Sequence, residues 1–127
     1  MINLDASQFA EKIAESDVVV LDVRTPEEFK SGHITNAINI DIYNDYFISD
    51  ISALDKSKSY AVYCRSGKRS VDASSEMDLI GFNATYNLTG GIIEWVDSGR
   101  KTVNYDIIKL LMLSSQSREF HNIFLRN

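Results

Sequence analysis

Along the chain, short apolar runs alternate with polar segments whose hydrophobic residues recur at helical spacing. Ile2 to Leu4 reads as a short edge strand. Asp5 or Ser7 caps a helix running to about Glu15, with Leu4, Phe9 and Ile13 facing inward. Val18-Val19-Val20-Leu21 is a continuous apolar run, too short for a helix and suited to a parallel strand covered on both faces. It ends in Asp22-Val23-Arg24. Thr25 as N-cap, Pro26 at the first helical position and Glu28 three residues after the cap mark the next helix, which Gly32 closes. Ala37 to Ile40 forms another brief strand. Residues 43 to 54, with Tyr46, Phe47, Ile51 and Leu54, carry a weaker helical signal. Tyr60 to Tyr63 is a buried strand that delivers Cys64 to its C-terminal end. Arg69 to Leu79 follows as a helix with Val71, Met77 and Ile80 at compatible spacings, stopped by Gly81. Ala84 to Leu88 is a last strand, and Gly90-Gly91 turns into a short helix carrying Ile92, Ile93 and Trp95. This order predicts an α/β fold, a small central and mainly parallel sheet flanked by helices on both faces.

Composition adds constraints. The 127 residues suffice for one domain with its own core. A net charge of −5 argues against a nucleic-acid or anionic-membrane surface. The chain has one cysteine, so no internal disulfide is possible and a reducing compartment is expected. No signal-peptide pattern opens the chain and no apolar run approaches membrane-spanning length, so the expected location is cytoplasmic.

The chemistry concentrates after the Tyr60 to Tyr63 strand. A cysteine at a strand end is by itself an inert core residue, because reactivity requires an electropositive, partly open setting. Here Arg65, Lys68 and Arg69 follow within five residues, and Gly67 permits a tight bend. Strand, loop and helix N-terminus together place Cys64 where unpaired N–H groups favour an anion. The spacing disfavours two phosphate chemistries and leaves a phosphatase or arsenate reductase as a distant third reading. Cysteine phosphatases place arginine six positions after the cysteine, where this chain has Ser70. A nucleotide-type phosphate loop requires glycine where Val62 stands.

The six-residue loop Cys64 to Arg69 closely resembles the active-site loop of the rhodanese family of sulfurtransferases. Asp22-Val23-Arg24, Glu28-Phe29 and Gly32-His33-Ile34, followed by Ala37 to Ile40, resemble that family's N-terminal signature. Gly90-Gly91-Ile92-Ile93-Glu94-Trp95 resembles its C-terminal one. The resemblance covers residues 1–103. It implies a small α/β domain, a catalytic Cys64 that carries sulfur, Arg65, Ser66, Gly67, Lys68 and Arg69 as the substrate-binding loop, and Asp22, Arg24 and Ser70 as loop support. Neither a cofactor nor a metal is implied. Beside the resemblance, Asp22 and Arg24 read simply as an ion pair at a strand end, His33 as a packed hydrogen-bonded residue and Trp95 as core. Glu28 and Glu27 read as a helix cap and its solvated neighbour.

Sulfur transfer requires Cys64 as a thiolate, and the N–H groups of residues 65 to 69, the following helix N-terminus and the three cations are expected to supply it. The donor is expected to be a small sulfur compound, thiosulfate or a low-molecular-weight persulfide. Because no second cysteine exists, the acceptor is an external thiol or protein cysteine, with thioredoxin, glutathione or a sulfur-relay protein as candidates. Ser66 stands where the two-domain thiosulfate enzymes carry lysine, which weighs against efficient thiosulfate use. A second reading of the same motifs is a non-catalytic binding or sulfur-sensing module. Residues 104–127 form an extension beyond the resemblance. Its apolar cluster around Ile107, Ile108, Leu110, Leu111 and Leu113, with Phe120, Ile123, Phe124 and Leu125, reads as a helix packing back on the domain or a disordered tail, and as a sharper hypothesis it pairs two copies through residues 107–125.

Overall fold

The computed structural model describes residues 1–104. The expectations of a helical extension and of pairing through residues 107–125 fall outside the described residues.

Among the described residues five strands and five helices alternate: β1 (Ile2–Leu4), α1 (Ala6–Ile13), β2 (Val18–Asp22), α2 (Pro26–Ser31), β3 (Ile38–Asn39), α3 (Phe47–Ser52), β4 (Ser59–Tyr63), α4 (Lys68–Leu79), β5 (Ala84–Leu88) and α5 (Gly91–Asp97). The strands form one sheet in the order β1-β5-β4-β2-β3, and every neighbouring pair is parallel. The expected α/β architecture is therefore present. β4 lies at the centre, in register with β2 from Val18 opposite Ser59 to Asp22 opposite Tyr63.

Alternation along β4 divides the interior in two. Tyr60 and Val62, with Leu21 and Val23, face α3 and α4, where Phe47, Ile51, Ala73 and Met77 pack against them. Ala61 and Tyr63, with Val20 and Leu88, face α1 and α5, where Ala6, Phe9, Ile92 and Trp95 close the second core. Phe9 meets both Tyr63 and Trp95 edge-on. Trp95 is core, as expected, and its indole N–H donates to the Lys101 carbonyl oxygen.

Several boundaries shift from the sequence reading. Asp5, not Ser7, caps α1 in a capping box with Gln8, and the helix ends at Ile13. β3 shortens to Ile38–Asn39 and α3 to Phe47–Ser52. Tyr46 precedes α3 and lies exposed, so the inward contacts of that helix come from Phe47 and Ile51. α4 begins one residue early, at Lys68, and buries Ser70, Ala73, Ser74 and Met77. Val71 is only half-buried. An inward face carrying two serines escapes a search for apolar period, and one of those serines belongs to the site.

Candidate active site

Cys64 follows the last residue of β4 and is almost completely buried, at 1% exposure. Its Sγ accepts hydrogen bonds from the Gly67 N–H at 3.1 Å, the Ser70 N–H at 3.4 Å and the Ser70 hydroxyl at 3.4 Å. Burial pushes the thiol's pKa up. The Ser70 hydroxyl and the N–H groups of Ser70, Gly67 and Ser66 outweigh it, and the net shift is downward. Of the agents expected, backbone N–H groups reach the sulfur and the Ser70 hydroxyl joins them, while the cations are not among its hydrogen-bond partners.

The chain turns back around the sulfur because two glycines allow it. Gly67, at φ +100°, is the N-cap of α4, and a Cβ there would run into the Thr89 carbonyl oxygen. Gly91, at φ +64°, opens α5 with no room for a Cβ against the Arg65 carbonyl oxygen. That close approach lets the first turn of α5 serve the loop. The Ile92 N–H donates to the Cys64 carbonyl oxygen at 2.9 Å, and the Ile93 N–H to that of Arg65 at 3.2 Å. The two carbonyls at the start of the loop are thus held by α5, while N–H groups further along it converge on Sγ.

The side chains of Arg65, Ser66 and Lys68 stand in solvent, whereas Gly67 is buried. Arg65 lines a groove of about 430 Å³ with Arg24, Ile92, Ile93, Val96 and Thr102. Arg69, expected among the substrate-binding residues, is paired with Glu28. Its guanidinium makes two hydrogen bonds to the Glu28 carboxylate, at 2.8 and 2.9 Å, and lies 5.6 Å from the centre of the Tyr43 ring. The bidentate pairing ties α4 to α2 across 41 residues of sequence. Glu28 is accordingly more than a helix cap. It completes the Thr25 capping box of α2 and also neutralises Arg69, whose guanidinium holds its carboxyl at about 2, well below the usual carboxylate range.

Asp22 and Arg24 form the buried ion pair anticipated, with the Arg24 Nη2 at 2.7 Å from Asp22 Oδ2. Arg24 also donates to the Gly32 carbonyl oxygen at 2.7 Å. Among the described residues the hydrogen bonds of Asp22 and Arg24 reach no residue from 64 to 69. They brace the β2–α2 connection, which leads into the helix that carries Glu28, and they flank Tyr63, whose hydroxyl accepts from the Ile34 N–H at 3.0 Å. Burial, with the Asp22 carboxylate beside it, pushes the Tyr63 phenol pKa far up, so it stays neutral. His33 is packed as expected, its Nδ1 2.8 Å from the Phe29 carbonyl oxygen and its ring stacked on Phe29. Asn39 was not anticipated: its side-chain amide donates to the carbonyl oxygens of Asp22 and Arg24, fixing the end of β2.

Known proteins resemble this chain in sequence and fold. The family model for the rhodanese-like domain matches residues 5–98. A sulfurtransferase of Allochromatium vinosum is 33% identical over 101 residues, covering 78% of this chain and 92% of that protein. Thiosulfate sulfurtransferase 18 of Arabidopsis thaliana is 33% identical over 109 residues, covering 76% of this chain and 79% of its own. The crystal structure of a rhodanese-related protein from Thermoplasma volcanium superposes with a TM-score of 0.67 at 34% identity, over 81% of this chain and 98% of that one. The chain belongs to the rhodanese-like domain family. Its sulfurtransferase relatives support sulfur transfer at the level of the family. Among the described residues no helix is long and apolar enough to cross a membrane.

Proposed function

We propose that the protein is a rhodanese-type sulfurtransferase in which Cys64 carries the transferred sulfur as a persulfide. The observation that carries this reading is the set of three hydrogen bonds directed at Sγ, which stabilise a thiolate in a buried position. In the loading step the Cys64 thiolate attacks the outer sulfur of the donor. A bond forms between Sγ and that sulfur, and the donor's sulfur–sulfur bond breaks with its electron pair on the leaving group. With thiosulfate the leaving group is sulfite; with a low-molecular-weight persulfide it is a thiolate. Arg65 and Lys68, whose side chains have no carboxylate partner among the described residues, attract the anionic donor and meet the leaving anion. The groove beside Arg65 gives the donor a route to the loop.

Discharge reverses the roles. An external thiolate attacks the outer sulfur, takes it, and restores Cys64. The acceptor is a low-molecular-weight thiol such as glutathione or a protein cysteine such as that of thioredoxin or a sulfur-relay protein, since the chain has no second cysteine of its own.

Intact-mass spectrometry tests the reading. Wild type and Cys64→Ser are exposed briefly to thiosulfate or to glutathione persulfide, then to cyanide. The expected result is a gain of one sulfur, about 32 Da, on wild type alone, removed by cyanide as thiocyanate. No gain with either donor overturns the reading and favours a rhodanese-like binding module.

A further inference from the structure

Ser70 is fully buried, and its hydroxyl oxygen sits between two acceptors: Cys64 Sγ at 3.4 Å and the Gly67 carbonyl oxygen at 3.1 Å. A serine hydroxyl carries one proton, so it donates to one of them at a time. Both acceptors are fixed in place. Sγ is held by the N–H groups of Gly67 and Ser70, and the Gly67 carbonyl also accepts from the Val71 N–H. Which acceptor wins depends on the charge of the sulfur. A thiolate outcompetes an amide carbonyl for the proton, whereas a neutral thiol or the inner sulfur of a persulfide is the weaker acceptor.

Resting on the sulfur-carrier reading, we propose that Ser70 is a positioning residue whose hydroxyl follows the charge on Cys64, donating to Sγ when it is an anion and to the Gly67 carbonyl oxygen when it is not. The consequence falls on discharge. An acceptor thiolate attacks the outer sulfur of Cys64–S–SH. As the new sulfur–sulfur bond forms, the bond to Sγ breaks, and its electron pair stays on Sγ. The products are the acceptor persulfide and the Cys64 thiolate, so total charge is conserved. Negative charge grows on Sγ during this step alone, and a hydroxyl that pivots from the Gly67 carbonyl to Sγ stabilises the transition state more than the loaded state. The backbone N–H donors are fixed and lack this freedom.

The charged groups around Cys64 do not supply the same response. Arg69 is held by Glu28, and Arg65 and Lys68 reach into solvent.

The test uses Ser70→Ala and Ser70→Thr in the full chain. The rate of Cys64 alkylation by iodoacetamide against pH reads the thiolate without any sulfur transfer, so it stands even if the carrier reading fails. In Ser70→Ala the profile is expected to move to higher pH, with alkylation at pH 7 about tenfold slower, the size of one lost hydrogen bond to a charged group. Ser70→Thr is expected to stay near wild type. Discharge of preloaded Cys64 persulfide to glutathione is expected to slow about tenfold in Ser70→Ala and to recover in Ser70→Thr. An alkylation profile in Ser70→Ala that matches wild type overturns the proposal. A second measurement needs no variant: the Ser70 Cβ resonance of wild type is expected to titrate with the Cys64 midpoint, and a resonance flat through that range also overturns it.

Discussion

At the scale of single residues, the sulfur of Cys64 does the work that a capping side chain does elsewhere in the molecule. α1 and α2 begin with side-chain capping boxes, from Asp5 and Thr25. α4 begins at Gly67, which has no side chain to offer. Sγ instead accepts the N–H groups of Gly67 and of Ser70, the cap and the third helical residue, and it also accepts the Ser70 hydroxyl. Helix capping and thiolate stabilisation are therefore one set of hydrogen bonds. Their geometry rests on Gly91, which lets α5 approach close enough to hold the carbonyl oxygens of Cys64 and Arg65. Gly91→Ala places a Cβ at φ +64° against the Arg65 carbonyl. The expected outcome is a loss of about 1 to 3 kcal/mol of stability in urea unfolding, with Cys64 alkylation at pH 7 slowed because the loop no longer holds its donors in place. An unchanged unfolding midpoint would show that α5 does not set the loop.

At the scale of elements, α2 shows which parts of the site could be read from sequence. Thr25, Pro26 and Glu28 announce the helix because capping is a local event, legible within four residues. The second task of Glu28, its ion pair with Arg69 on α4, has no local signal, since the partner comes from 41 residues away. Cys64, its loop and the glycines that bend it were legible as a motif. The backbone N–H donors were legible as a class, but the Ser70 hydroxyl and the particular N–H groups that converge were not, because they depend on the backbone path after Gly67. α3 was faint for another reason: Phe47 and Ile51 face the core but Tyr46 and Ile48 face solvent, so aromatic and aliphatic residues on both sides blur the period. The Glu28–Arg69 bridge gives a pH dependence with a definite sign. The native state holds the Glu28 carboxyl at about 2, below its ordinary value of 4.5. Its contribution to stability is therefore complete above about pH 4.5 and is lost as pH falls toward 2. Because the pair is partly exposed, that contribution is on the order of 1 kcal/mol. Glutamine keeps the capping acceptor and removes the charge, so Glu28→Gln is expected to be less stable at pH 7 and to show a flatter decline across this window. Thermal melts from pH 7 down to pH 2 check it, and parallel curves for the two proteins would exclude the bridge as the cause.

At the scale of the whole molecule, the site is a small cationic island on an acidic protein. The net charge of −5 repels anions at long range, and two of the four cations around the site, Arg24 and Arg69, cannot offset it. Arg24 is neutralised by Asp22 and Arg69 by Glu28. The attraction left for an anionic donor comes from Arg65 and Lys68, both exposed on the loop. Exposed charges act through water and are screened over about 10 Å at 0.1 M salt. Loading by thiosulfate, a dianion, is therefore expected to slow as ionic strength rises from about 0.01 to 0.5 M. The double variant Arg65→Gln with Lys68→Gln leaves the repulsive field of the protein unopposed. It is expected to load about tenfold more slowly at low salt, and its rate should rise rather than fall with ionic strength as the remaining repulsion is screened. Loading rates from intact-mass time courses at several salt concentrations decide the matter. If the double variant keeps the wild-type salt slope, attraction does not reside in these two side chains, and the donor is drawn in by the backbone N–H groups of the loop instead.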